Sequence, residues 1–594
     1  MTRSSAKTQP KQLHSTTVED IGMLKNIAYT LCGHIFSMPV KTTIHFMLKI
    51  TLNSELQLVP VQRCVLVVSV IEQLAQVHNS TAKEALERLC SYLPEKLHLQ
   101  GACILIAEIF GPHIIKLIEH KMNPDVVCHS IGLCKRKAGQ PFCHLYPSPK
   151  MGFNMAIKES ERMVAYQPKE NMHLLSGVCS LPFLKQLCEK IQLLIRSKLA
   201  FEDLDGDKFS LYPTLRGYHW RGRDCDDVQA SVYPGRRPDN WDADKDSNCN
   251  GIWGVDPKDG IAYEQKFCKG TESKGIILLG DSAGAHFHIP PEWLTASQMS
   301  VKAFSNLPGA FADELDWPQF SAVTGFLNST IGGWTESLYL YLQKRNRCNH
   351  RDYQNISKNG GSSNNVLELV KSLARSQQFD KPAIVIFSMI GNDVCNGYPD
   401  TVKHMTRPQQ MRANVMRALQ YLNGILPNGS HVLLTGLVDG HFLWDNLHNR
   451  FYPLGQLNKD VTYEHFYSFL SCLQSSPCVG WMSANATLRN LTSERALQLS
   501  SVLKEMAKSE KYANFDVFYM DYPLKEVAEM WQKSGGEAWQ LIEPVDGFHP
   551  NQVASALGAR IIWKKILDEW PHVLGKENPS NDEIVAVFRV QGGH

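Results

Sequence analysis

Hydrophobic and polar residues recur along this chain with two different periods, and the change falls near Lys274. Before it, Val65-Leu66-Val67-Val68, Val70-Ile71, Leu74-Ala75 and Val77 make an apolar surface at helical spacing, and residues 82–97, 102–117 and 126–133 continue it. Apolar positions at i, i+3, i+4 and i+7 share one face of a helix, so residues 64–146 predict a small bundle of four helices. After Lys274, runs at 275–279, 383–387, 431–435 and 517–520 alternate with helical stretches at 366–374, 409–426, 493–508 and 552–568. Continuous apolar runs suit strands buried on both faces, and strand–helix alternation predicts a parallel, doubly wound sheet in three layers. The expected fold class is multidomain: an all-α unit followed by an α/β domain. The divisions read as 1–60, 61–146, 147–201, 202–258 and 259–594, the third a linker with helical segments.

Composition narrows the function. The chain has 594 residues, 43% hydrophobic and 20% charged, with 61 basic against 59 acidic side chains and a net charge of +2. That balance leaves no basic excess for a phosphate backbone, so no nucleic-acid partner is expected. No run of 18 or more uncharged apolar residues occurs, so no spanning helix is expected. Sixteen cysteines without a C-x-x-C pair, and N-x-S/T triplets at Asn79, Asn328, Asn355, Asn428, Asn485 and Asn490, point to the oxidising secretory route and to glycosylation. Residues 27–40 are a poor match to a signal peptide, since polar and helix-breaking residues interrupt the stretch. Residues 1–60 therefore read as an atypical leader.

Residues 202–258 carry an acidic block: Asp203-x-Asp205-x-Asp207, Asp224-Cys-Asp226-Asp227, and Asp242-x-Asp244-x-Asp246-x-Asn248-x-Asn250-Gly251. A solvated loop is the ordinary meaning of such a run. Oxygen ligands at alternate positions with glycine at the turn can also wrap a hard cation in six to eight oxygens. The expectation is calcium, about two or three ions in a structural role, in loops that lack the terminal glutamate and flanking helices of an EF-hand.

The first strand of the α/β region runs into Gly280-Asp281-Ser282-Ala283-Gly284. Parallel sheets place reacting groups at the carboxyl ends of their strands, and a serine at a helix start can turn its own amide toward a developing oxyanion. Alone the motif is weak. It gains weight from Ile390-Gly391-Asn392-Asp393 after a second strand and Asp546-Gly-Phe-His549 near the C-terminus. Asp546 and His549 can share one turn, the carboxylate holding the imidazole while its other nitrogen faces Ser282. His286 and His288 lie near the serine, and without a third ligand they read as structural or substrate-side residues. The five residues around Ser282 also match G-x-S-x-G of α/β-hydrolases. That fold places strands before its serine, whereas here the serine follows the first strand.

In this order the three motifs resemble the GDSL, or SGNH, hydrolase family. The resemblance implies Ser282 as nucleophile, His549 as general base and Asp546 as its orienter. It implies an oxyanion hole from the Ser282 amide, Asn392 and a glycine, with Gly360 the first choice and Gly361 the alternative. Likewise Cys64, Cys90, Cys103, Cys128 and Cys134 in the helical unit resemble a saposin B-type lipid-binding domain. That implies pairing of Cys64 with Cys128 and Cys90 with Cys103, while Val61 stands where the family has the partner of Cys134. The combination of saposin-like unit, acidic block and SGNH domain resembles a family of two-module esterases acting on lipid A. It implies removal of secondary, acyloxy-linked fatty acyl chains from bacterial lipopolysaccharide, with membrane or micellar lipids as partners. It further implies a zymogen cleaved into small and large chains linked through Cys143 and Cys472, secreted and held in lysosome-like vesicles. A broader phospholipase or acyltransferase and a non-enzymatic lipid-transfer protein are the alternatives.

Overall fold

The computed structural model describes residues 60–95, 99–131, 142–164, 198–213 and 215–594. Cys32, Cys134, Cys179, Cys188, residues 1–59 of the leader and most of the 147–201 connection lie outside them. The first module is helical: α1 (Pro60–Val77), α2 (Ala82–Tyr92), α3 (Leu99–Glu119) and α4 (Pro124–Ser130), followed by α5 (Phe153–Val164). Two starts are set by local chemistry. Thr81 and Glu84 form a reciprocal cap at α2, and the Asn123 side chain accepts from the Val126 amide at α4, each satisfying orphan N–H groups of a first turn. Val65, Val68, Ile71 and Leu74 of α1 are buried with Ala85, Leu86, Leu117 and Val127. Disulfides Cys64–Cys128 and Cys90–Cys103 close this module.

The second module is built on five parallel strands: β1 (Gly275–Gly280), β2 (Tyr353–Asn355), β3 (Ala383–Ser388), β4 (Ser430–Thr435) and β5 (Phe515–Met520), in the order β2-β1-β3-β4-β5. In chain order its principal helices are α6 (Ser282–Ala285), α7 (Val366–Lys371), α8 (Pro408–Ile425), α9 (Tyr463–Cys472), α10 (Ala486–Ser509), α11 (Leu524–Lys533) and α12 (Gln552–Glu569). Successive strand residues point to opposite faces. Ile277, Leu279, Val385, Phe387, Val432 and Leu434 join one core with α7, α8 and α10, while Ile276, Leu278, Ile384, Ile386 and Leu433 join a second with Ile562 and Ile566 of α12. This is the three-layer arrangement. The order reverses between β1 and β3, and such a switch point opens a crevice above the strand ends.

The β2 strand is three residues long and was not legible as an apolar run. Its free edge is occupied by the acidic block: the Gly222 amide donates to the Tyr353 carbonyl at 2.8 Å and the Asn355 amide to the Trp220 carbonyl at 2.6 Å. The expectation of a glycan at Asn355 is corrected here. Asn355 is buried, and its side-chain amide donates to the Gly284 carbonyl and the Thr324 hydroxyl, whereas the other five sequon asparagines are exposed.

The modules meet along α1. The Gln73 amide donates to the Leu454 carbonyl at 2.5 Å, and the Ser475 hydroxyl donates to the Gln62 side chain at 3.3 Å. A disulfide between Cys143 and Cys472 crosses the joint. Buried Asp125 accepts from the Leu145 and Tyr146 amides, fixing the segment that carries Cys143. Among the described residues no helix is long and apolar enough to cross a membrane. Replacing Cys143 and Cys472 by serine in the single chain should lower unfolding stability by about 2–4 kcal/mol, because the bridge closes a long loop; urea denaturation checks it.

Candidate active site

Ser282 sits where β1 breaks. Asp281 is extended, and its Oδ1 accepts from the Ala283 amide at 3.0 Å, capping the single turn of α6 that starts at Ser282. Oδ2 of the same carboxylate accepts from the Ile390 amide at 2.8 Å, tying the end of β1 to the loop after β3. Burial raises the Asp281 carboxyl to about 6, with these backbone donors opposing the shift. Gly280 and Gly284 are needed for space rather than for a left-handed turn: a Cβ on either would lie 2.5 or 2.7 Å from the Ser357 hydroxyl. The left-handed residue is His286, with φ 61°.

The imidazole arrives from the loop before α12. His549 Nε2 lies 2.7 Å from Ser282 Oγ, and its Nδ1 lies 2.6 Å from Asp546 Oδ2. The other Asp546 oxygen accepts from the Phe548 and His549 amides. Three tyrosines pin this loop from outside: Tyr463, Tyr452 and Tyr467 donate their hydroxyls to the carbonyls of Pro544, Val545 and Gly547. Gly547 adopts φ +61°, and a side chain there would also strike Tyr463 at 2.9 Å. Ser282 and His549 are only 7% and 9% exposed. Burial opposes the imidazolium, but the Asp546 carboxylate, with Asp281 and Glu543 beyond it, more than offsets that effect, so His549 titrates above the ordinary histidine value.

The side-chain amide of Asn392 donates to the Gly361 carbonyl at 3.1 Å, and the residue lines the same cleft as Ser282 and His549. The expectation for Gly360 is corrected. Gly360 is exposed, and like Gly361 it is absent from the cleft wall. Gly361 is the glycine packed against Gly280 and Asp281, and its amide already donates to Lys358. The cleft is open to solvent and mostly apolar, with Val438, Phe442, Leu443, Trp481, Leu524 and Leu541 among its walls. Trp481 donates to the Ser493 hydroxyl and packs on Gly440, where a Cβ would lie 2.1 Å from the indole. A disulfide, Cys395–Cys478, holds the Asn392 loop against the Trp481 segment. No local pattern marked Trp481, because its role arises only from this packing.

His286 and His288 each face a protein partner. His286 faces the Ser555 hydroxyl at 3.3 Å, and His288 Nδ1 lies 2.8 Å from Glu543. The acidic block does converge. Ligand atoms of Asp203, Asp205 and Asp227 gather in one group, and those of Asp205, Asp207 and Asp224 in another. Buried oxygens of Asp205, Asp207, Asp224, Asp227 and Asp242 lack any hydrogen-bond donor. Burial first, then the neighbouring carboxylates, raises Asp207 to about 8, Asp224 to about 6 and Asp242 to about 7. Orphaned, mutually repelling carboxylates fit a hard cation. In the third loop, Asn248 and Asn250 both donate to Glu264, a buried acid outside the motif that sequence spacing missed. Asp226 accepts from Gln229 and Asp244 is exposed. Like Asp242 and Asp246, neither belongs to a group of converging ligand atoms among the described residues.

The geometry defines a serine hydrolase of the SGNH class joined to a saposin-like module. Residues 276–562 match the GDSL-like Lipase/Acylhydrolase family and residues 61–189 the Saposin-like domain family. Acyloxyacyl hydrolase of Mus musculus is 63% identical over 533 residues, 89% of this chain and 93% of that protein. The Homo sapiens enzyme is 61% identical over 532 residues, 89% and 92% of the two chains. Saposin-C of Cavia porcellus is 30% identical over 73 residues, 12% of this chain and 88% of its own length. This chain belongs to the acyloxyacyl hydrolase family and is an ester hydrolase.

A general base acts only when neutral, so a raised histidine pKa moves the onset of activity upward. Hydrolysis of a soluble p-nitrophenyl ester should rise with pH through a midpoint above about 6.5. Asp546→Asn should move that midpoint down and lower kcat by about 10⁴-fold, as a pH–rate profile will show.

Proposed function

We propose that this chain removes secondary, acyloxy-linked fatty acyl chains from the lipid A moiety of bacterial lipopolysaccharide, leaving the primary chains in place and attenuating the endotoxin signal. The hydrogen-bonded line from Asp546 through His549 to Ser282, opening on an apolar cleft, carries this reading. Ser282 Oγ attacks the acyl carbonyl while His549 Nε2 takes its proton. The tetrahedral oxyanion faces the Ser282 amide and the Asn392 side chain. Collapse breaks the bond to the hydroxyacyl oxygen, which leaves with the proton from His549. Water, deprotonated by His549, then cleaves the acyl-enzyme and frees the fatty acid. Asp546 holds the ring through Nδ1 and steadies the imidazolium.

An acyl chain drawn from an aggregate loses about 0.8 kcal/mol of hydrophobic stabilisation per CH₂ if it meets water. The apolar cleft wall offsets that cost, and the saposin-like module supplies a lipid-facing partner next to the esterase. The Cys143–Cys472 bridge would hold two chains together after cleavage in the 147–201 connection. Secretion, storage in lysosome-like vesicles and glycans on the five exposed sequon asparagines complete the reading.

Calcium is the ion we assign to the acidic block. Asp203, Asp205 and Asp227 would hold one ion, Asp205, Asp207 and Asp224 another, and Asp242, Asp246 and Glu264 with the two asparagines offer a third set. The ions supply charge neutralisation and cross-linking of loops packed on the β2 edge.

Mass spectrometry of lipid A after incubation should show loss of secondary chains only. Ser282→Ala should abolish that loss while lipid binding persists; fatty acid release by the variant would refute the assignment. Chelation with EGTA should lower the melting temperature and leave kcat at temperatures below the transition unchanged. A melting curve indifferent to chelator would remove calcium from the account.

A further inference from the structure

The two arms of the site are joined at more than the serine. His288, six residues beyond Ser282, places Nδ1 2.8 Å from Glu543 Oε2, six residues before His549, and the two side chains are 5% and 2% exposed. The Glu543 amide donates to the His549 carbonyl at 2.8 Å, and its own carbonyl accepts from the Gly547 amide at 2.9 Å. The loop 543–549 is thus closed on itself, with Glu543 at its root. On the other arm the His288 carbonyl accepts from the Trp317 indole at 3.0 Å, and the Phe287 ring lies 4.9 Å from the His549 ring.

A buried carboxylate is expensive unless it is paired. Glu543 has one partner through Oε2, and its buried Oε1 has no donor. Shape alone would be served as well by an uncharged side chain. The charged and titratable groups around His549 are Asp546 on its own loop, Glu543 at the loop root, and Asp281, His286 and His288 on the nucleophile arm. Burial and the neighbouring His288 hold His286 down to about 3, which keeps it neutral.

We propose that Glu543 and His288 act as one buried pair that fixes the catalytic-base loop against the nucleophile arm and sets the electrostatic environment of His549. Glu543 is a positioning residue, since it reaches the reacting atoms only through His549. The inference rests on the esterase reading above. Its effect is differential: the negative charge favours the imidazolium formed as Ser282 gives up its proton, and the tie keeps the imidazole in register.

The test follows the rate of fluorophosphonate labelling at Ser282 against pH, with each variant normalised to its titratable sites so that only folded molecules count. Wild-type labelling at Ser282, absent in Ser282→Ala, establishes the parent reading separately. Glu543→Gln should slow labelling about tenfold and move the acid limb down by about half a pH unit or more, because the imidazolium loses a nearby charge. His288→Leu should move it the same way, since an unpaired buried carboxylate takes up a proton. The double variant should be no worse than either single change, as for partners in one interaction. An acid limb fixed at the wild-type position in both single variants, whatever their rates, would overturn the proposal.

Discussion

The hydrogen bond between Ser282 and His549 joins residues 267 apart in the chain, and the rest of the molecule can be understood as what makes that contact hold. Each partner is mounted on a short turn at the carboxyl edge of the sheet, one after β1 and one before α12. Asp281 caps the first and laces it to the β3 loop, and the three tyrosine hydroxyls clamp the second. The parallel core beneath fixes the separation of the two turns to within hydrogen-bonding tolerance, because close-packed interiors do not deform continuously.

Electrostatics follows from the same placement. Putting Ser282 and His549 out of water strengthens their interaction with Asp546 and makes every neighbouring charge count. The site therefore gathers three carboxylates, Asp281, Asp546 and Glu543, around one imidazole, and raises its basicity against the effect of burial. Asp281 is held by backbone N–H groups, Asp546 by backbone and imidazole, and Glu543 by His288. The acidic block has the opposite logic. Its carboxylates repel one another, and several of their buried oxygens are left without donors.

Much of the fold was legible. Four strands and the helices between them were written as buried apolar runs, and the four helices of the first module as amphipathic repeats. The fifth strand, β2, was not, because three residues held by edge pairing need no apolar run. The triad and Asn392 were legible through short motifs at strand ends. Gly360 was misjudged, since sequence offers no means of telling which of two adjacent glycines faces the nucleophile turn. Asn355 shows the same limit: its triplet reads as a surface acceptor, yet pairing with β1 carries it into the interior.

The sequence by itself determined the periodicity, the two modules, the reacting residue types and the alternating oxygens of the acidic block, because these depend on neighbours close along the chain. Only the tertiary structure decided which carboxylates converge, that Glu264 joins the third loop, that Trp481 walls the cleft and that Glu543 faces His288. Those contacts are set by how separate elements pack. Packing depends on the shapes and volumes of residues hundreds of positions apart, which no local pattern encodes.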